Sequence, residues 1–349
     1  MKKTSSRTPH RKVNVAVVGL GFMGVTHIKV YQKLKTARIV AVCDSARAPV
    51  NGVLPGVAGN ITGSDAIDLG RQLRVYRTLE ELLADPEVEL VDLCVPTALH
   101  PQQAIAALKA GKHVLCEKPL ALTSAKARSM VRAARAARGF FMPAMCMRFW
   151  PGWAFLKQVV TEKTYGEIQA ASFRRLSATP GWSKATYSSG SLTGGALLDL
   201  HIHDTDFVQF LFGRPDSVAS RGVTRGGNSI DHVVTQYHYH RGPVVYAEGT
   251  WLMAGGFNMA YTVLCERATI DYDLARGAEA LRITETGKAP RVVKCDGSDG
   301  YTEEISYMLQ AILSGKAPRV VTAQDGLSAI QICEAEAKSV RTGRIVSLS

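Results

Sequence analysis

Three groups of residues in this sequence have the type and spacing to do chemistry. Lys118 closes the apolar run Val114-Leu115-Cys116-Glu117-Lys118-Pro119. A charge at the end of a buried strand is costly unless it has a partner or a task. Asp199, His201, His203 and Asp204 lie in the stretch Gly194 to Asp206, GGALLDLHIHDTD. On a helix Asp199 and His203 share a face while His201 points elsewhere, which sets a carboxylate beside an imidazole and suits proton transfer. A metal reading of the same residues is weaker. Helical spacing does not turn all four inward and no second cluster completes a site, so no metal is expected.

The third group is Gly19-Leu20-Gly21-Phe22-Met23-Gly24, which follows the apolar strand VNVAVVG and opens a helical pattern, with Asp44 ending the next strand. Strand, glycines, helix and acid in this register form the dinucleotide-binding fingerprint. Gly19 permits the tight turn, Gly21 lets the backbone approach a pyrophosphate, and Gly24 lets the helix pack on the strand. Amides at Phe22 and Met23 then face the phosphates. Asp44 is expected to accept ribose hydroxyls, which favours NAD. Arg47 is placed to reach a 2'-phosphate or stack on adenine, so NADP stays possible.

These groups need elements to hold them. From residue 13 to about 148, short apolar runs alternate with helical patterns at 23 to 35, Leu79 to Leu83, 100 to 110 and 123 to 138, which predicts β-α-β units and a parallel sheet. Gly111 and Gly139 stand where helix-ending glycines belong, and Thr123 or Ser124 can cap the helix after Leu122. Val95-Pro96-Thr97 and Cys116-Glu117-Lys118-Pro119 both end strands of that sheet, so both turns should border a nicotinamide and put Lys118 at the reaction centre. A cis Lys118-Pro119 bond would re-aim the lysine. The glycine-rich stretch from Ala46 to Arg74 reads as a long connection near a ligand.

After Arg148 the texture changes to longer strands with partial alternation, two of them joined by His240-Arg241-Gly242-Pro243 as by a hairpin turn. The fold expected is α/β: an N-terminal doubly wound Rossmann sheet and a C-terminal α+β domain with a large open, mostly antiparallel sheet. The domains expected are a disordered basic tail at 1–12, a nucleotide-binding domain at 13–140, and a substrate-binding and oligomerisation domain at 141–349 whose final helix packs back on the first.

Bulk properties narrow the function. The chain has 349 residues, 46% hydrophobic and 21% charged, and no apolar run long enough to span a membrane. The net charge of +12 is spread along the chain, with clusters in the tail and on the helical face of Lys126, Arg128, Arg132, Arg135 and Arg138, and no nucleic-acid motif accompanies it. No nucleic acid and no membrane partner are expected. The seven cysteines are widely spaced and mostly embedded in apolar runs, which suits buried reduced thiols in a cytoplasmic protein, without disulfides or a cysteine metal site.

The motifs GLGFMG, the Pro96-Thr97 turn with His100, CEKPLAL, GGALLDLHIHDTDF and the closing YTEEISYMLQAILSG resemble those of the Gfo/Idh/MocA oxidoreductases, the family of glucose-fructose oxidoreductase and inositol dehydrogenase, from about Val13 onward. The resemblance implies a homodimer or homotetramer and a catalytic set of Lys118, Asp199 and His203, without metal. Lys118 would stabilise the developing alkoxide of a sugar or polyol hydroxyl, His203 would take its proton, and Asp199 would orient His203 or hold a neighbouring hydroxyl. Pro96, Thr97, His100, Glu117 and Lys118 join Gly19, Gly21, Phe22, Met23, Gly24, Asp44 and Arg47 as cofactor-binding candidates. Arg148, Arg175 and Trp182 are candidate substrate contacts beside Asp199 and His203. Two departures stand out: His201, where the family often has glycine, and the extra acid Asp204. Two other activities stay open: glycoside cleavage with an internally recycled hydride, and nucleotide sensing without turnover.

Overall fold

The computed structural model describes residues 11–57, 65–181, 193–225, 229–295 and 299–348. Val13–Val18, Ala37–Cys43, Arg74–Tyr76, Leu90–Leu93, His113–Glu117 and Phe141–Ala144 form one six-stranded sheet. All of its pairings are parallel, and numbered in chain order its strands run 3-2-1-4-5-6 across the sheet. This is the doubly wound order, and its switch point falls between Val13–Val18 and Leu90–Leu93. The strands are near-continuous apolar runs because both faces are covered, Leu90–Leu93 being buried at every position including Asp92.

The helices start where the sequence marks them. Thr123 caps Ser124–Ala136 by accepting from the Lys126 amide, and Leu79–Leu83 carries a capping box between Thr78 and Glu81. Gly111 does follow a helix with φ +76°. Gly139 differs from expectation. A side chain there would lie 2.1 Å from the Lys112 carbonyl oxygen, so the position needs glycine for close approach rather than for a left-handed cap.

The second sheet has nine strands and is mostly antiparallel, with one parallel pair between Ile168–Ala178 and Val244–Thr250. Ile230–His238 and Val244–Thr250 pair antiparallel across the His240 to Pro243 turn, as the sequence indicated. The sheet's inner face, through Phe173, Tyr261 and Tyr272, packs on the helical Trp153 and Phe207, where the Trp153 indole meets the Phe207 ring edge-on at 4.8 Å. The helix Ala323–Thr342 joins the two halves. Its Gly326 sits so close to Leu120 that an added Cβ would fall 2.6 Å from the leucine, and its Glu334 accepts the Ser124 amide at 2.7 Å.

Six cysteines are buried and Cys295 is exposed. Among the described residues no helix is long and apolar enough to cross a membrane.

Candidate active site

A cleft of about 870 Å³ opens between the two sheets at the carboxyl ends of the parallel strands. One wall is the glycine turn. Gly19 has φ +89°, and a Cβ on it would come within 2.6 Å of the Cys94 carbonyl oxygen. At Gly24 a Cβ would collide with the Gly19 carbonyl oxygen at 1.9 Å, so the helix Phe22–Lys33 can seat on the strand only through a bare backbone. Gly21 meets nothing within 4 Å and lines the cleft, leaving the backbone accessible to a phosphate. Each glycine thus has the role its position in the fingerprint requires, and the turn fits a dinucleotide.

Asp44 reaches back to this turn. Its Oδ2 accepts the Leu20 amide at 2.7 Å, while Oδ1 accepts the Ala46 and Arg47 amides at 2.9 and 2.8 Å. The Arg47 guanidinium donates to the carbonyls of Leu20 (2.6 Å) and Pro55 (2.7 Å). Both residues border the cleft, as do Phe22, Met23, Pro96 and Thr97. So does Arg77, which the sequence reading missed because a lone arginine before a helix cap has no distinctive pattern. His100 does not border the cleft. It is 1% exposed, and its ring nitrogens lie 2.8 Å from the carbonyl oxygens of Val95 and Pro119, so it braces the two turns instead of touching a ligand.

Lys118 stands across from the second sheet, and its bond to Pro119 is cis. Its Nζ donates to the Asp199 carbonyl oxygen at 2.7 Å and lies 3.2 Å from Asp199 Oδ1. Asp199 belongs to a π-helical turn, Leu197–His201, that runs into the α-helix Ile202–Phe212. The regular α-helix assumed from sequence is therefore interrupted, as helices often are at functional sites. Asp199 and His203 nonetheless both line the cleft with Lys118. Among the described residues His203 Nδ1 has no hydrogen-bond partner. Burial, then the charges of Lys118 and Arg175, hold the His203 imidazole well below its ordinary pKa. It is a neutral base beside a cation.

The remaining residues of that helix are structural. Arg175 lines the cleft, but its guanidinium is committed to Asp204, Nε to Oδ2 at 2.8 Å and Nη2 to Oδ1 at 3.1 Å. Arg148 corrects the sequence expectation. It is 5% exposed, grips Asp206 through two hydrogen bonds of 2.8 and 2.6 Å, donates to the Val320 carbonyl, and forms no part of the cleft wall. His201 turns into the core, 3.2 Å from the Tyr237 hydroxyl and 3.5 Å from Glu336, with Gly249 leaving it room. Trp182 lies outside the described residues.

Behind Lys118 is a cluster that sequence reasoning missed. His27 Nδ1 is 2.8 Å from Asp92 Oδ2 and its Nε2 is 3.2 Å from Glu117 Oε1. Glu304 also brings an oxygen within 4.8 Å of His27 and Glu117. One signal was available: an aspartate inside the apolar strand LVDLCV needs a buried partner.

A doubly wound sheet with a bare glycine turn at its switch point, closed over by a second sheet bearing a lysine, an acid and a histidine, defines a two-part dinucleotide-dependent enzyme. Residues 13–144 match the model of an oxidoreductase family with an NAD-binding Rossmann fold, and residues 153–271 match the GFO/IDH/MocA C-terminal domain. The chain is 25% identical to myo-inositol 2-dehydrogenase of Thermotoga maritima over 348 residues, covering 96% of this chain and 98% of that protein. It is 33% identical over 151 residues to trans-1,2-dihydrobenzene-1,2-diol dehydrogenase of Xenopus laevis, where the match spans 43% of this chain and 45% of the relative. Among solved structures, levoglucosan dehydrogenase in complex with NADH and L-sorbose superposes with a TM-score of 0.82 at 22% identity, covering 97% of this chain and 99% of that one, a likeness of fold. The chain belongs to the Gfo/Idh/MocA family and is an NAD-binding oxidoreductase.

Proposed function

We propose that this protein oxidises a secondary alcohol of a sugar, an inositol or a sugar derivative, with Lys118, Asp199 and His203 as its catalytic residues. The observation that carries this reading is the convergence of the Lys118 ammonium, the Asp199 carboxylate and the neutral His203 imidazole on the cleft that the glycine turn also borders. Bound NAD supplies the hydride acceptor. Gly19, Gly21, Phe22, Met23, Asp44, Arg47, Pro96 and Thr97 would hold it, Gly24 by seating the helix.

Lys118 donates a hydrogen bond to the reacting oxygen and stabilises its negative charge as the carbon is oxidised. His203 accepts the hydroxyl proton, for which a neutral imidazole is the required form. Asp199 anchors Lys118 and offers its second oxygen to a neighbouring hydroxyl. The relatives named for inositol and diol substrates support a vicinal hydroxyl pattern. Arg175 contributes by placing a fixed positive charge near His203 rather than by gripping substrate.

We further read the protein as a homo-oligomer. The second sheet exposes Val234, Val244, Tyr246 and Leu264, apolar side chains that a second copy would cover. Sedimentation analysis tests this, a monomer at micromolar concentration excluding it.

The deciding experiment follows absorbance of reduced cofactor after adding NAD or NADP with a panel of inositols, hexoses, sugar acids and glycosides. Reduced NAD formed with one alcohol class supports the reading. Glycosides consumed without net reduced cofactor replace it with internal hydride recycling.

A further inference from the structure

The cluster behind Lys118 is buried except where Glu117 reaches the cleft, and the proposed reaction gives His27, Asp92 and Glu304 no task. His27 and Asp92 are 0% exposed, Glu304 is 0% exposed, and Glu117 is 6% exposed where it meets the cleft. They come from four separate elements: His27 from Phe22–Lys33, Asp92 from Leu90–Leu93, Glu117 from His113–Glu117, and Glu304 from Gly300–Ser314. Burying carboxylates together is tolerable only when charge is matched within the cluster.

The matching is visible in the geometry. His27 lies between Asp92 and Glu117: Nδ1 is hydrogen-bonded to Asp92 at 2.8 Å, while Nε2 stands 3.2 Å from Glu117 at ion-pair distance and makes no hydrogen bond among the described residues. Glu117 Oε2 in turn accepts the Lys118 backbone amide at 3.1 Å. The two carboxylates therefore share the His27 imidazole between them, and Glu117 also feels the positive charge of Lys118, whose ammonium is turned to Asp199. At Glu304 burial, with Glu117 and Asp92 nearby, pushes the carboxyl well above the usual carboxylate range, and neither of its oxygens has a partner among the described residues. Burial alone would discharge His27, but Asp92 and Cys94 raise it well above its ordinary value, and His27 and Lys118 in turn outweigh burial at Glu117 and hold that carboxyl low.

We propose that His27 is a positioning residue for Lys118: clamped between Asp92 and Glu117, it fixes the Glu117 carboxylate in place to hold the Lys118 amide and to stand as a negative charge beside the lysine. The helix that opens at the glycine turn thereby supports the carboxylate next to the lysine on the same wall of the cleft. This inference rests on reading Lys118 as the reaction-centre residue, and its test needs no substrate, so its failure is distinct from failure of the proposed reaction.

The test labels the full-length protein and its His27→Gln variant with trinitrobenzenesulfonate, following modification of Lys118 by peptide mass spectrometry with the exposed Lys163 as internal reference. Without the imidazolium the buried Glu117 takes up a proton, and Lys118, losing its anionic neighbour, reacts at least about threefold faster. At the same pH the infrared spectrum of the variant gains one protonated-carboxyl band, which a His27→Gln, Glu117→Gln double variant lacks. A Lys118 rate that is unchanged or slower, or a gained band that survives in the double variant, overturns the proposal. If the His27→Gln chain does not fold, the near-isosteric Asp92→Asn and Glu117→Gln variants carry the same test with the same expected acceleration.

Discussion

The two walls of the cleft solve opposite electrostatic problems. The wall built on the parallel sheet sets Lys118 among carboxylates, Glu117 at the end of the strand just before it and Asp199 opposite, backed by His27 and Asp92. The wall built on the second sheet surrounds His203 with cations, Lys118 and Arg175. One wall thus keeps a cation in acidic company and the other keeps a base neutral. Dissimilar surroundings for two titratable groups a short distance apart are how one site holds an acid and a base at the same pH.

Removing either group breaks this contrast and carries the largest effects. His203→Asn should lower kcat by about 10²- to 10⁴-fold, the usual worth of a general base. Lys118→Ala should cost about 10²- to 10³-fold in kcat, the usual worth of a donor to a developing oxyanion, with NAD affinity retained. Steady-state kinetics and cofactor titration check both, and a Lys118→Ala enzyme with undiminished kcat would remove lysine from the reaction.

Next in size is the structural support of the basic wall. Arg175→Met strands the buried Asp204 and should destabilise the protein by about 3–5 kcal/mol in urea unfolding, whereas the Arg175→Met, Asp204→Leu pair should recover most of that loss. The recovered double variant sharpens the comparison, because without the Arg175 charge His203 should protonate at higher pH and the acid limb of kcat/KM should move upward.

The glycine turn separates folding from binding. Gly24→Ala drives a methyl into the Gly19 carbonyl and should lower stability by about 1–3 kcal/mol. Gly21→Ala meets no protein atom, so it should leave the melting temperature nearly unchanged yet weaken NAD binding by about tenfold or more, near 1.4 kcal/mol. Equal melting losses in the two variants would contradict this division.

The smallest effects are in the pH dependence of stability, where the two histidines have opposite signs. The folded pKa of His203 is depressed, so the unfolded chain binds its proton first and stability falls as pH drops below about 6.5. The folded pKa of His27 is raised, so its contribution is full below about 6.5 and is lost as pH climbs through the higher folded value. His203→Gln should flatten the acid side of the profile and His27→Gln the alkaline side, each by a slope of up to about 1.4 kcal/mol per pH unit.

What could be read in advance follows the same physical division. The glycine turn, Asp44, Lys118 and the Asp199 to His203 spacing are local patterns, fixed by a turn, a strand end or a helix repeat, and the fold brings them to one cleft. The partners of Arg148 and Arg175 were not readable, because Asp206 and Asp204 lie 58 and 29 residues away and only the docking of a helix against the second sheet chooses between them. His27 and Asp92, 65 residues apart, left half a signal: the buried acid was visible in its strand, its partner was not. At Gly139 the sequence alone cannot separate a helix-ending glycine from a glycine under a neighbouring carbonyl, because the two look alike in one dimension.

The helix Ala323–Thr342 bears on how such proteins can be recombined. It follows the second sheet in the chain yet fits, through Gly326 and Glu334, against Leu120 in the turn just beyond Lys118 and Ser124 at the start of the helix after it. A crossover near residue 145 that exchanged everything downstream for a relative's segment would seat a foreign helix on a native receptor, 210 residues away in sequence at the Ser124–Glu334 contact but touching the chain just beyond Lys118. Shuffling substrate preference among relatives therefore calls for two junctions rather than one, so that this helix travels with the parallel sheet it serves.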